Sequence, residues 1–360
     1  MNALTFLLIP FSWLFGVGVA LRNNCFDWGI FRSESLGVPT ISVGNLTVGG
    51  TGKTPLVATI ARYLQQKGKR VGILSRGYKR ESNGFVFVSD GEKVLVGARL
   101  GGDEPQELAQ QLPSVVVAVD EKRARAGRKV LERFPIDVFI LDDGFQHRAV
   151  KRDLDIVTIP ARSGVTSSVY DTASRFLIPA GRRREPLGGL KRANLLVFTK
   201  ARESSSNADA LEEMGKRFRR FTVADSSAVD LKVRALVCLS DRQEEDPKRF
   251  VGKKAFLFCG IADPENFSRL ASNSGLEVVG MKSFADHYRY RGRDLVSLGS
   301  QFSASGADLL LTTMKDAARL SDCSEGNAFV TDFPVYGLAV GVEFVQGEKV
   351  FYQRLDRLFA

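Results

Sequence analysis

The sequence predicts an α/β protein with two α/β/α sandwich lobes, mainly parallel sheets and a separate apolar helix at its N-terminus. Apolar, β-branched runs alternate with runs of helical spacing along most of the 360 residues. This alternation favours parallel sheets with helices on both faces. A glycine-rich turn joins the first predicted strand, residues 38–43, to a helix beginning near residue 55. A turn of this kind is typical of nucleotide-binding α/β folds, because it brings backbone N–H groups towards a phosphate.

The N-terminal segment is the most apolar part of the chain. Residues 3–21 contain no charged side chain, and about 20 such residues cross a hydrocarbon core as a helix. Arg22 and Arg32 follow, which predicts that the rest of the chain stays on the cytoplasmic side. No Lys or Arg precedes the segment, so it lacks the basic start of a secretory signal. We predict a membrane anchor helix over residues 1–22, either spanning or interfacial, with a buried core helix as the alternative.

The glycine-rich turn at residues 44–55 predicts a P-loop NTPase-like lobe. Strand, glycine turn, Lys53-Thr54 and helix follow one another in the order that a phosphate cradle requires. Lys53 would neutralise the β- and γ-phosphates, and the Thr54 hydroxyl would hold Mg²⁺. The common pattern places Gly six residues before that lysine, where this chain has Thr47. A glycine turn without a ligand is the alternative.

Two further segments carry carboxylates near predicted turns. An apolar strand at residues 138–141 ends in Asp142 and Asp143, the arrangement with which many nucleotide-binding folds hold Mg²⁺ beside the phosphate loop. Asp103 and Glu104 lie in a glycine-flanked loop before a helix. A carboxylate there could accept the proton of an acceptor hydroxyl, although Asp103 could instead cap the helix.

Residues of the second half could complete such chemistry. The chain has only two histidines, His147 and His287. His287 follows a predicted strand of the second lobe and could support a carboxylate base, whereas His147 is more typical of a structural loop residue. Lys315 also follows an apolar strand and could reach a phosphate.

Nearer the N-terminus, residues 85–88 and 93–96 predict a β-hairpin that turns at residues 90–91.

Composition sets the broader limits. We predict an anchor at 1–22, a kinase-type lobe at 23–202, a charged connection at 203–250 and a second lobe at 251–360 that contributes to the active-site cleft. The net charge of +10 favours anionic partners. The four cysteines form no C-x-x-C pair, so neither a zinc site nor a disulfide framework is expected.

Taken together, the motifs resemble the tetraacyldisaccharide 4′-kinase family over nearly the whole chain. The resemblance implies that ATP and Mg²⁺ are the cofactors and that an acylated glucosamine disaccharide 1-phosphate is phosphorylated on its 4′-hydroxyl to give lipid IVA. It further implies a monomer on the cytoplasmic face of the bacterial inner membrane, with no nucleic-acid partner. The Thr47 variant belongs to the family's own loop. The matching segments are residues 43–55, 74–78, 102–105, 141–147, 179–181, 184–186, 284–287, 313 and 315–316.

The resemblance also implies residue roles. Asp103 would be the base, His287 would tune it, and Lys53 would act in catalysis. Separately, the basic clusters fit a substrate that carries a phosphate, and the candidates for binding its 1-phosphate are Arg123, Arg182, Arg183 and Arg184. The nucleotide would contact Thr47, Val48, Gly49, Gly50, Thr51, Gly52, Lys53, Thr54, Arg76 and Gln146. The metal would be held by Thr54, Asp142, Asp143 and Glu104.

Three other classes share parts of this pattern. The first is a P-loop GTPase/ATPase switch or metallochaperone at the membrane. The GTPases and metallochaperones read guanine with Asn/Thr-Lys-x-Asp, but here Arg202 stands where the Asp should be. A membrane-positioning ATPase needs an additional Lys directly before the Gly-Gly pair, where this chain has Val48. A nucleic-acid-binding protein would fit the charge, but no RNA-binding or helix-turn-helix signature is present.

Overall fold

The computed structural model describes residues 3–161, 176–201 and 214–360. Two compact units divide the chain: unit 1 comprises Met1–Arg76, Asp120–Leu231 and Val342–Ala360, and unit 2 comprises Gly77–Val119 and Lys232–Gly341. The units therefore interleave along the sequence, and the C-terminal 19 residues return to unit 1. The expected division at residues 22, 202 and 250 stays a prediction, and residues 203–213 of the connection lie outside the described part.

The elements are numbered in chain order. The strands are β1 (Thr40–Asn45), β2 (Val71–Ser75), β3 (Val86–Asp90), β4 (Val116–Val119), β5 (Val138–Asp142), β6 (Leu154–Pro160), β7 (Leu195–Thr199), β8 (Asp225–Cys238), β9 (Glu244–Glu245), β10 (Lys254–Cys259), β11 (Glu277–Ser283), β12 (Leu309–Thr313) and β13 (Val335–Gln346). The helices are α1 (Ala3–Asp27), α2 (Lys53–Gln66), α3 (Ala98–Gly101), α4 (Asp103–Gln111), α5 (Arg123–Leu131), α6 (Pro264–Asn273), α7 (Gly292–Ser305), α8 (Met314–Leu320), α9 (Gly326–Asp332) and α10 (Glu348–Asp356).

Unit 1 contains a parallel sheet in the order β7-β6-β1-β5-β2, with the first part of β8 beside β7. Every residue of β1, β5 and β7 is buried. Strands that are buried on both faces read as continuous apolar runs, which is why they were visible in the sequence. The predicted class, an α/β fold with a mainly parallel sheet, is confirmed for this unit.

Helix α1 continues to Asp27, five residues beyond the predicted anchor. Within the described residues it is the one helix long and apolar enough to cross a membrane, judged by length and composition. Its apolar side chains face outward, with Leu7, Trp13 and Leu14 about 70% exposed. This exposure argues against the buried core helix. Ser12 is the exception: its buried hydroxyl donates to the Leu177 carbonyl over 2.8 Å.

Unit 2 contains the parallel order β11-β10-β12-β13. Strand β3 pairs with β4 in antiparallel register. The predicted hairpin is confirmed at its turn, where Ser89 and Val94 form an antiparallel bridge, but its second strand is absent. The turn does form, since Leu95 N donates to Val88 O over 2.8 Å, but residues 93–96 do not continue as a strand. The extended pairing of β3 is with the wholly buried β4, which offers apolar side chains for burial.

Candidate functional site

The glycine-rich loop of unit 1 runs from the end of β1 to the start of α2. Gly49 and Gly52 have φ angles of 120° and 77°, a region that residues with a Cβ rarely adopt. Gly52 is the residue from which α2 begins, so the first free N–H groups of that helix follow it directly. Thr47 instead forms an antiparallel bridge with Arg183. Paired backbone of this kind does not need glycine, which explains the departure from the common pattern.

A chain of hydroxyls and an amide holds the loop. Asn45 Nδ2 donates to Thr47 O over 2.6 Å and to Thr51 Oγ1 over 3.0 Å. Thr51 Oγ1 lies 2.9 Å from Thr158 Oγ1, and Thr199 Oγ1 donates to Thr51 O over 3.0 Å. These bonds connect the loop to β1, β6 and β7, so its backbone is supported on several sides.

Lys53 and Arg184 both contact Asp143. Lys53 Nζ lies 3.5 Å from Asp143 Oδ1, and Arg184 donates to Asp143 Oδ2 over 2.6 Å. Burial opposes ionisation of Asp143, but the two cations outweigh it and hold its pKa below the ordinary value. Asp143 is therefore ionised at neutral pH and already balanced by two positive charges.

Asp142 has a different environment at the end of β5. Only 1% of its surface is exposed, and Ser75 Oγ donates to its Oδ2 over 3.2 Å. It lies opposite Val43 of β1 in the parallel ladder, two residues before that strand ends. Thr54, also buried, lies in the first turn of α2. Thr54 and Asp142, two of the four predicted metal-binding residues, thus belong to elements beside the glycine loop.

Gln146 is fixed by two acceptors. Its Nε2 donates to Asn45 O over 2.8 Å and to Glu185 Oε1 over 2.9 Å. Glu185 is 1% exposed and also accepts a bond from Arg192 over 2.8 Å. Glu185 was not predicted as a site residue, and its only sequence signal was its place in the 184–186 motif.

His147 lies among guanidinium groups. Burial, and after it the positive charges of Arg123, Arg152, Arg22 and Arg76, lower the pKa of His147 to about 3. Arg123 NH1 lies 3.4 Å from His147 Nδ1, so the neutral ring presents that nitrogen as an acceptor. This is the structural role that the sequence favoured for His147.

The arginines predicted for the 1-phosphate have several local contacts. Arg182 accepts a bond from Val48 N through its carbonyl, over 2.8 Å, and its guanidinium lies close to Gly49, where a Cβ would be 2.4 Å away. Arg183 pairs with Thr47 and Arg184 with Asp143. The arginine run therefore lies against the glycine loop. Its role towards a lipid phosphate stays a prediction.

Unit 2 contains the second cluster, centred on Asp103. The N-cap of α4 is Gly102, and Asp103 is the first helical residue, so the capping alternative does not describe its side chain. Asp103 Oδ2 lies 2.8 Å from His287 Nδ1 and 2.7 Å from the Arg319 NH2 group. Burial opposes ionisation of Asp103, but hydrogen bonds from His287 and Arg319 outweigh it and lower its pKa to about 2. The carboxylate is therefore ionised at neutral pH, and His287 Nδ1 is the donor.

Glu104 forms an ion pair with Lys315, with 2.7 Å between Oε1 and Nζ. Burial of the ammonium opposes its charge, but Glu104 and Glu107 outweigh it and raise the pKa of Lys315. The structure therefore brings together two residues that were predicted separately, Glu104 for the metal and Lys315 for a phosphate. Within the described residues, no group of three or more His, Cys, Asp and Glu side chains is arranged to hold a metal ion.

The glycine loop, Lys53-Thr54 and the carboxylates after β5 define a P-loop NTPase-like α/β protein. Comparison with protein families then identifies the group: the tetraacyldisaccharide-1-P 4′-kinase model matches residues 4–360, and the chain belongs to that family. The resemblance seen in the motifs is confirmed. The GTPase, metallochaperone and partitioning-ATPase alternatives are not favoured.

Named relatives and a solved structure agree with this assignment. A tetraacyldisaccharide 4′-kinase of Chlorobium limicola is 35% identical over 361 residues, covering 99% of both chains. Another, from Geobacter metallireducens, is 39% identical over 316 residues, covering 87% of this chain and 88% of the relative. The crystal structure of LpxK from Aquifex aeolicus in complex with ATP covers 99% of this chain and 100% of its own, with 34% identity and a TM-score of 0.79.

Proposed function

We propose that this protein transfers the γ-phosphate of ATP to the 4′-hydroxyl of a tetraacylated glucosamine disaccharide 1-phosphate, giving lipid IVA in lipid A biosynthesis. The observation that carries the proposal is the 2.8 Å contact between Asp103 and His287 in a chain that matches the kinase family over residues 4–360. Phosphoryl transfer requires positioning of both phosphate and hydroxyl, and little covalent chemistry by the protein. The glycine-loop cluster of unit 1 positions the phosphate, and the Asp103 cluster of unit 2 positions the hydroxyl.

The nucleotide roles belong to unit 1. Backbone N–H groups of residues 49–52 and of the first turn of α2 bind the phosphates, aided by the positive end of the helix dipole. Thr47 and Val48 border them, since Val48 N is already bonded to the Arg182 carbonyl. Lys53 neutralises the β- and γ-phosphates, and Gln146 and Arg76 border this region. The relative from Aquifex aeolicus was solved with ATP, which supports ATP as the nucleotide here.

Mg²⁺ fits the oxygen donors beside the loop. It binds proteins through one or two carboxylates and keeps its remaining positions for water and substrate phosphates, so the lack of a larger acidic cluster among the described residues is compatible with it. Asp142 and the Thr54 hydroxyl would hold the ion, which would neutralise charge on the transferred phosphate. Asp143 is engaged with Lys53 and Arg184, so we assign it to orienting these two cations. Glu104 is paired with Lys315, so we assign it to stabilising α4 and not to binding the metal.

Asp103 acts on the acceptor. With a pKa of about 2, its carboxylate is ionised but weakly basic, so it accepts a hydrogen bond from the 4′-hydroxyl and receives the proton late in the transfer. A loose transition state needs little nucleophile deprotonation beforehand, which makes a weak base sufficient. His287 holds the carboxylate in place through its Nδ1–H donor, over 2.8 Å.

The membrane role belongs to α1. Its exposed apolar side chains would insert into the cytoplasmic face of the inner membrane, where an acylated substrate resides, and the basic surface would favour anionic lipids. The chain would act there as a monomer.

The direct test is label transfer from γ-labelled ATP in mild detergent, with tetraacyldisaccharide 1-phosphate and Mg²⁺ present or omitted. We expect labelled lipid only when both are present. Free labelled phosphate regardless of lipid would instead indicate an NTPase and contradict the kinase proposal.

The residue test compares Asp103→Ala with Asp308→Asn, a control in the same unit whose carboxylate accepts a bond from Lys254 N over 2.7 Å. Asp103→Ala should lower kcat by about 10²- to 10⁴-fold, the usual contribution of a positioned base, and leave ATP affinity unchanged. The control should stay close to the parent enzyme. Weakened ATP binding with normal turnover at saturation would make Asp103 a nucleotide residue.

A further inference from the structure

The hydrogen bonds to Asp103 are distributed unequally between its two oxygens. His287 Nδ1 approaches Oδ2 at 2.8 Å, and Arg319 approaches the same atom with Nε at 2.9 Å and NH2 at 2.7 Å. Within the described part of the chain, all three contacts end on Oδ2 and none on Oδ1. His287 and Arg319 therefore hold Oδ2 in place, whereas Oδ1 is available to a group that binds the carboxylate.

Arg319 is itself fixed by hydrogen bonds from the NH1 group of its guanidinium. Its NH1 donates to Asp316 Oδ1 over 2.8 Å and to the Gly260 carbonyl over 2.7 Å. Only 5% of its surface is exposed. The planar guanidinium is therefore bonded along both edges, and turning it would break bonds to Asp103, Asp316 and Gly260 at once.

Asp316 forms the base of this arrangement. It is 0% exposed, and it accepts bonds from the Tyr290 hydroxyl over 2.9 Å, from Thr313 Oγ1 over 2.6 Å and from Gly260 N over 3.0 Å. Buried carboxylates persist only when they are paired and hydrogen-bonded. Here the pairing partner is Arg319, so Asp316 fixes the guanidinium that contacts Asp103.

We propose that Arg319 is a positioning residue, which clamps Oδ2 of Asp103 so that Oδ1 is presented to the acceptor hydroxyl. The proposal rests on the proposed role of Asp103 as the hydroxyl-binding carboxylate. A guanidinium is suited to this task because its donors lie in a rigid plane, whereas an ammonium is a point charge on a flexible stem. Without the clamp, the carboxylate can rotate about its Cβ–Cγ bond and lose the alignment on which transfer depends.

A double-mutant cycle tests this assignment. Arg319→Gln is measured in the parent enzyme and in an Asp103→Ala background, with kcat, both KM values and ATP affinity determined by label transfer and nucleotide binding. Arg319→Lys keeps the charge without the fork. Because Arg319→Gln leaves Asp316 buried without its cation, Arg319→Gln/Asp316→Asn provides a second form in which both charges are removed together. Thermal unfolding compares the folding of all variants.

In the parent background we expect Arg319→Gln and the charge-neutral pair to lower kcat by about 10- to 100-fold, the cost of a misplaced catalytic group, with KM for ATP unchanged. Arg319→Lys should recover only part of this loss. In the Asp103→Ala background, Arg319→Gln should change kcat by less than about twofold, because residues that act through one another are not additive.

Two kinds of result would overturn the proposal, and they lead to different conclusions about Asp103. Equal losses from Arg319→Gln in both backgrounds, or no loss in the parent, would show that Arg319 does not act through Asp103, while the role of Asp103 would stand. Undiminished turnover in Asp103→Ala alone would remove the role of Asp103 and that of Arg319 with it.

Discussion

Glu107 of α4 is a buried carboxyl group that has no direct ion pair with any residue the structure describes. It is 5% exposed, and Gln111 Nε2 donates to its Oε1 over 3.0 Å. The pKa of Glu107 is raised to about 7, mainly by burial; Glu104 contributes to the rise, whereas Lys315 and Arg319 oppose it. The group thus titrates near neutral pH in the folded protein but near 4.5 when exposed.

This difference makes the stability of unit 2 depend on pH. The folded protein binds the Glu107 proton more tightly than the unfolded chain does. Below pH 4.5 the group is protonated in both states, so its ionisation does not lower the free energy of unfolding. The cost grows as pH rises and is complete above about pH 7. At about 1.4 kcal/mol for each pH unit, it reaches roughly 3 kcal/mol. Glu107→Gln removes the ionisation while keeping the size of the side chain.

We expect the variant to unfold at nearly the same temperature as the parent near pH 4.5. At pH 8 it should unfold several degrees higher, since about 2–4 °C accompanies each kcal/mol in a domain of this size. Thermal unfolding in mild detergent at pH 5, 6, 7 and 8 measures the difference, and Glu265→Gln, at an exposed position of α6, is the control. A difference that is flat with pH, or that falls as pH rises, would refute the reasoning.

Two other changes have definite expected outcomes. Gly52→Ala puts a side chain at a φ of 77°, which costs about 1–2 kcal/mol; ATP affinity in a nucleotide-binding assay should fall about tenfold, and unchanged affinity would mean that the loop tolerates a Cβ. Phe11→Lys and Leu14→Lys charge two side chains of α1 that are 61% and 71% exposed. Each insertion of Lys into hydrocarbon costs about 2.5–3.5 kcal/mol, so co-sedimentation with anionic vesicles should drop and KM for the lipid should rise while KM for ATP holds. Full vesicle binding by the doubly charged variant would contradict membrane insertion of α1.

Local sequence pattern predicted the strand, glycine loop and helix to which the nucleotide is proposed to bind. The order strand, glycine turn, Lys53-Thr54 and helix is contiguous, so the chain geometry alone brings these groups together. The end of β5 at Asp142 was predictable for a similar reason: neighbouring parallel strands end at the same edge of a sheet. Even so, the sequence could not separate Asp142 from Asp143, because the difference lies in Lys53 and Arg184, two cations distant in sequence.

The contacts of the Asp103 cluster could not be predicted from local sequence pattern. Asp103 and His287 were paired by family resemblance, not by spacing, since 184 residues separate them. Arg319 was missed, although it stands three residues after Asp316 on α8, a spacing that places both on one helix face. That signal is common on solvated helices, so it could not indicate a buried clamp.

What the sequence by itself determined is the set of segments whose information is local: the apolar N-terminal helix, the buried parallel strands and the glycine loop that α2 follows. The tertiary structure alone decided which distant segments meet. It made β4 the partner strand of β3, joined Glu104 to Lys315, and directed hydrogen bonds from His287 and Arg319 to one oxygen of Asp103. The physical reason is that backbone conformation follows from neighbouring side chains, whereas the pairing of buried charges and the choice of strand partners follow from packing between segments far apart in the chain.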